Sequence, residues 1–344
     1  MKMKRSITLL LILTMVFLLS ACGSSSGADK VYTLSVHQHD SSTAGIGLFL
    51  TDWTAKLEAA SGGRLKFDVY HGGVLGSARD TVEMIQRGTC DIGWGLQNYF
   101  AGVFDGSLVI MNPMIGIKDA KHGSRVMWAL YKNNKEIAAE YKDFHMLMVH
   151  TSLNIPISTR SVKIENIDQF IGMKFRGLTG PMMTFVQELK AAPVNVSIGE
   201  LYQAVETGVA EAVLSDWQAL KAFSLFEPLN YFLDEPITVT NYFLLMNKDS
   251  YNALPDDLKK LIDDNSGDAA IAIVGDYWAP FEVDCRRLVG ENKGVIYQLS
   301  DAERARIKSI AEITNKKWID EITSKGYNGQ ALFDECVKYV EQFK

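Results

Sequence analysis

Two stretches of this chain repeat one alternation of strand-like and helix-like patterns, and that alternation restricts the fold more than any other feature. In the first stretch a helical pattern ends at Gly88, and Asp91 and a short apolar strand follow. In the second stretch Gly208 and Glu211 hold the same places. Strands that alternate with helices form mostly parallel sheets with helices on both faces. The sequence therefore predicts an α/β chain with two lobes of similar topology.

The individual elements follow from hydrophobic periodicity. In the first lobe we predict strands over 31–36, 65–69 and 90–93 and helices over 46–57 and 79–87. In the second lobe we predict strands over 173–176, 193–196 and 212–214 and helices over 181–189 and 200–207. A long amphipathic stretch over 258–289 and two helices after Ser300 predict a long back helix and a helical C-terminal tail.

The N-terminus has the pattern of a lipoprotein export signal. A basic head with Lys2, Lys4 and Arg5 precedes the apolar run 7–19, which is shorter than the roughly 20 residues that span a bilayer. The run ends in Leu-Ser-Ala-Cys, so we predict a signal peptide over 1–21 and lipidation of Cys22. Residues 22–30 are then a flexible leash. This predicts an exported chain, lipid-anchored to the outer face of the cell membrane or in the periplasm.

Charge and cysteine content exclude several partners. The chain has 35 basic and 41 acidic side chains, and without the three basic residues of the signal peptide the balance is 32 to 41, or −9. An acidic chain without a basic cluster is a poor ligand for nucleic acid. Cys90, Cys285 and Cys336 lack metal-ligand spacing and are expected to be small buried apolar residues. A disulfide between Cys285 and Cys336 stays open at this point.

Catalytic and cofactor motifs are missing from the places where they would matter. The G-x-S-x-G match at 23–27 lies in the leash, with no strand before it and no helix after it. The chain has no zinc-protease motif, phosphate loop or dinucleotide fingerprint. His37 and His39 share a spacing that metal ligands sometimes use, but a third ligand is not near them in sequence. We expect no enzyme, no cofactor and no metal, and interpret the two histidines as a polar strand end facing a cleft.

Arg176 is the most informative single residue. It ends the predicted strand in the segment 172–177, and ligands of open α/β sheets gather at the carboxyl ends of strands. A guanidinium there offers a planar fork of donors that matches a carboxylate. An ordinary ion pair within the lobe is an equally good explanation from spacing alone.

The order of several short motifs resembles the solute receptors of TRAP (tripartite ATP-independent periplasmic) transporters of the DctP type. The resemblance runs from about Tyr32 to about Lys260. In the first lobe it is carried by Gly-Arg-Leu at 63–65, Gly-Val-Leu-Gly at 73–76 and Arg-Gly-Thr-Cys-Asp-Ile at 87–92. In the second lobe it is carried by Ile-Asp-Gln-Phe with Gly-Met-Lys-Phe-Arg within 167–176 and by Glu-Leu-Tyr-Gln-Ala-Val-Glu-Thr-Gly at 200–208. A later Asn at 247 and Leu-Pro at 254–255 also match.

The resemblance implies a two-lobed clamp like the type II periplasmic binding proteins. We expect the first lobe over 31–151, with about 241–280 returning to it, and the second over 152–240, with about 281–344 packing against it. Such a receptor closes on a small organic anion and delivers it to the integral membrane subunits of a TRAP permease. A monomer is expected.

The resemblance also assigns candidate binding residues. The family's arginine for the ligand carboxylate corresponds to Arg176, and its neighbours in the site correspond to Thr179 and to Ser215, Asp216 and Trp217. Relatives that bind sialic acid have a further arginine where this chain has Asn154, which argues against a highly polar acidic sugar. At strand ends or loops expected to face the cleft we add Gln38, Ser77 and Gln97. Core packing is an equal alternative for Trp217, and loop polarity is one for the last three.

Two other functions remain open at this point. One is a solute receptor of an ATP-driven importer or a sensor, which an ATPase gene beside this one would favour. The other is a lipid-anchored hydrolase, which would need a nucleophile–base pair inside the cleft. The sequence leaves the identity of the acid open.

Overall fold

The computed structural model describes residues 30–177 and 179–344. The predicted signal peptide, the lipidation site Cys22 and nearly all of the leash lie outside these residues. Within the described ranges, no helix is both long enough and apolar enough to cross a membrane.

The strands alternate with helices as the periodicity predicts. The strands are β1 Tyr32–His37, β2 Leu65–Tyr70, β3 Ile92–Leu96, β4 Phe144–Thr151, β5 Ile155–Thr159, β6 Lys174–Arg176, β7 Ala192–Pro193, β8 Ala212–Leu214, β9 Tyr231–Thr238, β10 Asn241–Asn247 and β11 Val295–Tyr297. The helices are α1 Gly45–Ala60, α2 Thr81–Gln86, α3 Ala120–Asn133, α4 Lys135–Glu140, α5 Pro181–Glu188, α6 Leu201–Glu206, α7 Trp217–Ala222, α8 Lys248–Asn252, α9 Asp256–Asp264, α10 Gly267–Val274, α11 Ala279–Glu291, α12 Asp301–Ser324 and α13 Gly329–Gln342. Short 3-10 helices include Gln97–Tyr99, Gly106–Met111 and Gly275–Tyr277.

The strands form two mixed sheets, one in each lobe. The first has the order β2-β1-β3-β10-β4 and the second the order β11-β9-β5-β8-β6-β7. The pairs of β1 with β2 and β3, of β8 with β6 and of β6 with β7 are parallel, as predicted. The antiparallel strands β4, β5, β9 and β10 are those that enter or leave a lobe at a crossing. The fold is therefore a two-lobed α/β clamp with a helical C-terminal tail.

Two crossing segments join the lobes side by side. One connects β4 to β5 and the other connects β9 to β10. The backbone N–H of Ser152 donates to the carbonyl of Thr240 at 2.8 Å, and the backbone N–H of Thr240 donates to Oγ of Ser152 at 2.9 Å. These mutual hydrogen bonds hold the two crossings together where a hinge is expected.

At the centre of the first sheet, a glycine of β3 faces a phenyl ring of β10. All five residues of β3 are buried, and a Cβ on Gly95 would lie 2.5 Å from the ring of Phe243. Glycine at this position leaves room for the phenyl ring, so the two strands pack directly behind the cleft. Trp94, the neighbour of Gly95 in β3, lines the space between the lobes.

Two details differ from the sequence-based expectations. The stretch 258–289 is divided into helices instead of being continuous: Ser266 precedes α10, and Gly275 lies where a Cβ would be 2.5 Å from Lys121. Of the predicted strand 193–196, only Pro193 belongs to the observed strand, which it forms together with Ala192 before it. Cys90, Cys285 and Cys336 are buried, as expected, and all three are free thiols, so Cys285 and Cys336 do not form a disulfide.

The last helix packs on the first lobe, which corrects the expectation that all of 281–344 packs on the second. His122 donates from Nε2 to the carbonyl of Val340 at 2.9 Å, and Asn134 donates to Glu335 at 2.7 Å. Both donors belong to or cap helices of the first lobe. Because α12 is 24 residues long, it carries the chain back across the molecule before α13 begins.

Candidate ligand-binding site

A cavity lies between the lobes at the carboxyl ends of strands from both sheets. Its atom-free space is about 600 Å³, a value that includes the part open to solvent. Its apolar wall is formed by Trp94, Leu96, Tyr99, Ile155, Ile198, Leu214, Ala219, Ala222, Phe223 and Tyr242. Its polar groups come from His39, Asp40, Arg176, Ser215, Asp216, Gln218 and Thr240.

Arg176 reaches this cavity from the end of β6. Only 6% of the residue is exposed. Its Nη1 donates to the carbonyl of Leu214 at 3.0 Å, and its Nε donates to the carbonyl of Val196 at 3.3 Å. Burial lowers the pKa of the guanidinium, while Tyr99 and Asp216 act to raise it. Its partners among the described residues are neutral carbonyls, and no carboxylate lies within ion-pair distance of it there.

Two carboxyl groups face the same cavity, one from each lobe. Burial raises the pKa of Asp40 to about 6, against a hydrogen bond from Gln218 that lowers it. Burial also raises the pKa of Asp216 to about 6, with Asp40 as a further raising charge. The cavity therefore combines one cationic group with two weakly acidic ones.

A stack of rings forms the wall on the first lobe. The ring of Trp94 lies between those of His39 and Tyr242, with centroids 4.7 Å away on each side. The indole Nε1 of Trp94 donates to Nε2 of His150 at 2.9 Å. Burial lowers the pKa of His150 to about 3 and that of His39 to about 4. Both imidazoles are therefore neutral at pH 7, and the wall offers flat uncharged surface to a planar ligand.

Two hydrogen-bonded contacts bridge the lobes around the cavity. Gln218 of the second lobe donates to Oδ2 of Asp40 at 3.0 Å and accepts from the backbone N–H of Gly45 at 3.1 Å. Thr179 donates to the carbonyl of Asn98 at 2.5 Å and accepts from the side-chain amide of Asn98 at 2.9 Å. These contacts describe a closed clamp.

The predicted site residues divide into those at the cavity and those elsewhere. Arg176, Ser215 and Asp216 line it. Thr179 lies at the lobe contact just described instead of in the cavity wall. Asn154 donates to the carbonyl of Lys118 at 2.6 Å, so it stabilises the crossing between the sheets and does not face the cavity.

Three polar residues nominated in the first lobe are held by the lobe itself. Gln38 is fully buried, and its side-chain oxygen Oε1 accepts from the backbone N–H of Asp40 at 2.6 Å. Ser77 donates to Asp80 at 2.7 Å within its loop. Gln97 donates to the hydroxyl of Tyr141 at 2.6 Å. Their hydrogen bonds are satisfied locally, which corrects the expectation that they face the ligand.

Trp217 belongs to the core of the second lobe. It is 1% exposed and its ring stacks on Phe232 at 6.0 Å. The guanidinium of Arg286 lies over the other side of the ring at 4.2 Å. The N-cap of α7, where Asp216 accepts from the backbone N–H of Ala219 at 2.9 Å, turns the next side chain away from the cavity.

The sequence reasoning missed the aromatic wall. Trp94 lies in a wholly buried strand, and Tyr242 comes from a strand nearly 150 residues later that pairs beside it. The neighbouring positions His37 and His39 gave the one available signal, that the end of β1 is polar. Among the described residues, no group of three or more His, Cys, Asp or Glu side chains could hold a metal ion.

The two acidic groups make the stability of the unliganded protein depend on pH. In the folded chain Asp40 and Asp216 take up protons near pH 6, whereas an unfolded chain does so near 3.8. Their contribution to the free energy of unfolding should therefore increase as the pH falls from about 7 to about 4. Urea unfolding at pH 7 and pH 5.5 should show a smaller increase for a double Asp40→Asn, Asp216→Asn variant than for the wild type. An equal increase in both proteins would contradict the assignment.

Comparison with known proteins adds a consistent set of relatives. Residues 36–321 match the family DctP, bacterial extracellular solute-binding protein, family 7. The outer membrane transporter protein TsaT of Comamonas testosteroni is 22% identical over 293 residues, which is 83% of this chain and 85% of that one.

Solved structures share the same fold. A marine metagenome TRAP solute binding protein specific for aromatic acid ligands, in complex with 3-hydroxybenzoate, has a TM-score of 0.86 and 26% identity and covers 92% of this chain and 100% of its own. A TRAP solute binding protein of Rhodoferax ferrireducens with copurified benzoate has a TM-score of 0.85 and 24% identity, over 91% of this chain and 98% of that one. One from Bordetella bronchiseptica with bound mandelate has a TM-score of 0.82 and 20% identity, over 91% and 100% of the two chains.

Proposed function

Because the chain belongs to the DctP family of bacterial extracellular solute-binding proteins, we propose that its cleft captures an aromatic carboxylate for a TRAP-type secondary permease. Proteins of this family are receptors and not enzymes. The observation that carries the proposal is the position of Arg176: its guanidinium is buried beside the cavity, and its Nη2 group donates to no described residue.

A carboxylate is the ligand group that best fits this guanidinium. Nε and Nη1 are held by carbonyls, so the plane of the guanidinium is fixed before the ligand arrives. Closure removes water, and the lower local dielectric strengthens the attraction between the two charges. A fixed donor in a dry cavity needs little reorganisation on binding.

The rest of the cavity supports an aromatic body. Trp94 and Tyr242 supply uncharged aromatic surface on the first lobe, and Phe223 and Ile198 line the second. Rings prefer offset-stacked or edge contacts with such side chains. Benzoate, 3-hydroxybenzoate and mandelate, the ligands of three relatives of similar fold, have this combination of ring and carboxylate.

The lobe contacts support capture by closure. We propose that residues 31–151 with about 241–280 move against residues 152–240, with Ser152 and Thr240 at the pivot. Gln218 and Thr179 then join the lobes around the ligand, and a permease recognises the closed form. An unequal pair of integral membrane subunits encoded beside this gene would support the TRAP assignment, and an ATPase gene would oppose it.

We propose further that the receptor is a monomer anchored through a lipid on Cys22. The basic head, the short apolar run and the Leu-Ser-Ala-Cys sequence support this anchor. Membrane fractionation of a Cys22→Ser variant tests it: the variant should leave the membrane fraction, and an unchanged distribution would refute the anchor.

The test of ligand class compares benzoate with an uncharged amide of nearly the same shape and with an acid that lacks the aromatic ring. Isothermal titration calorimetry of residues 30–344 should show binding of benzoate and at least 100-fold weaker binding of benzamide, which lacks the negative charge. Cyclohexanecarboxylate, which keeps the charge but lacks the ring, should bind with intermediate affinity. Equal affinity for benzoate and benzamide would remove the carboxylate from the proposal.

A further inference from the structure

The cavity holds more acceptors than a simple aromatic acid uses. We propose that the cleft selects an acid carrying a second group with an O–H or N–H donor, and that Asp216 and Asp40 accept this donor. The inference rests on the proposed function. It concerns the hydrogen-bond acceptors of the cavity that the ligand carboxylate does not use. It makes the two aspartates specificity-determining residues.

Asp216 has one oxygen committed to the fold and one left for the cavity. Its Oδ1 accepts from the backbone N–H of Ala219 at 2.9 Å and caps α7. Its Oδ2 lies 3.5 Å from the hydroxyl of Tyr242, which is too long for a strong hydrogen bond. The backbone N–H of Gln218 also acts on this carboxyl group and lowers its pKa, but it belongs to the same helix cap. The residue is 6% exposed, so water replaces the missing donor poorly once the clamp has closed.

Asp40 presents a similar oxygen from the opposite lobe. Its Oδ2 accepts from Gln218 at 3.0 Å. Its Oδ1 lies 3.7 Å from Nε2 of His39, beyond hydrogen-bond distance. The imidazole of His39 is neutral at pH 7 because burial lowers its pKa to about 4, so it does not neutralise the carboxylate.

The charge balance of the cavity also favours a ligand that carries a hydrogen-bond donor. Arg176 is the cation that lines it, and a bound carboxylate uses that charge. The aromatic lining residues and Ser215, Gln218 and Thr240 are uncharged. An acid without a donor would therefore leave two buried carboxyl groups facing an added negative charge. A hydroxyl or amine on the ligand supplies the hydrogen that these oxygens lack.

A different explanation assigns both aspartates to structure alone, with Asp216 as a helix cap and Asp40 as a lobe contact. It predicts no preference between acids that differ only in a donor group. Matched ligands therefore separate the two explanations.

Calorimetry of the wild type with two sets of ligands provides the test. The first set is 3-hydroxybenzoate, 3-aminobenzoate, 3-methoxybenzoate and benzoate; the second is mandelate and phenylacetate. In at least one set, a donor-bearing acid should bind about tenfold or more tightly than its donor-free counterparts. The methoxy compound has the oxygen without the hydrogen and should bind no better than benzoate.

The variants Asp216→Asn and Asp40→Asn locate the effect. Asparagine preserves the helix cap and the contact with Gln218 but removes a negative charge. The preference should fall to threefold or less in at least one variant, and that variant should bind the donor-free acid more tightly than the wild type does. Asp68→Asn, which changes an exposed carboxylate on β2, should keep the wild-type preference.

Two results would overturn the inference while leaving the proposed function in place. One is equal binding of donor-bearing and donor-free acids by the wild type. The other is a preference that survives in both aspartate variants. Failure of every acid in both sets to bind would overturn the proposed function and this inference with it.

Discussion

Replacing Arg176 by alanine should weaken the binding of benzoate by roughly 100- to 4,000-fold. The estimate follows from the about 3–5 kcal/mol that is lost when one partner of a buried ion pair is removed, at about 1.4 kcal/mol for each factor of ten. The remaining cavity would hold the ligand carboxylate against Asp40 and Asp216, with no cation to oppose them. Arg176→Lys keeps the charge but not the planar donor fork, so its affinity should lie between those of alanine and the wild type.

The controls separate a binding defect from a folding defect. Arg176→Ala also frees the carbonyls of Leu214 and Val196, so its thermal unfolding without ligand must be measured beside its affinity. Arg87→Ala changes an exposed arginine at the C-terminal end of α2 whose partner is Glu83, and it should bind benzoate as the wild type does. If Arg176→Ala kept the wild-type affinity, the proposed carboxylate contact would be wrong.

Replacing Trp278 by alanine should lower the free energy of unfolding by about 3–5 kcal/mol, the usual cost of removing a large buried aromatic side chain. Trp278 is 1% exposed where the chain leaves the first lobe for the second. Its ring meets His150 at 4.8 Å and Tyr242 at 6.4 Å, so it supports the aromatic wall from behind. Urea unfolding measures the loss.

A matched substitution tests whether packing is the cause. Among the described residues, the indole Nε1 of Trp278 has no hydrogen-bond partner, so Trp278→Phe removes a buried unsatisfied donor together with part of the ring. Its cost should be less than half that of Trp278→Ala, because the two changes act in opposite directions. Equal losses in both variants would show that contacts of the indole, and not bulk packing, stabilise this region.

Sequence reasoning reached the features that depend on neighbours in the chain. Periodicity located β1, β2, β6 and β8 to within one residue at each end and β3 to within three. The position of Arg176 at the end of β6 placed it at the cleft. Ser215 and Asp216 follow β8 and reach the same cavity. In each of these cases the local pattern and the final contacts agree.

Sequence reasoning failed where the contacts form between segments that are far apart in the chain. Gln97 follows a strand and has the polarity of a ligand contact, but its amide is also bound by Asn241 of the returning strand β10. Trp217 lies between the lining residues Asp216 and Gln218 in sequence, but its ring packs under Arg286 in the core of the second lobe. Trp94 resembles an ordinary core residue until β10 brings Tyr242 beside it. Periodicity along one segment contains no information about which later strand will pair with it.

The late arrival of β10 also constrains the order in which this chain acquires its structure. Strand β10 lies between β3 and β4, so a nascent or half-translocated chain that ends before residue 241 leaves both of those strands with an open edge. The strands β5 to β9 pair with each other within 155–238, and this part can assemble earlier. Pairings so far apart in sequence form slowly, so we expect the first sheet to be completed after the second.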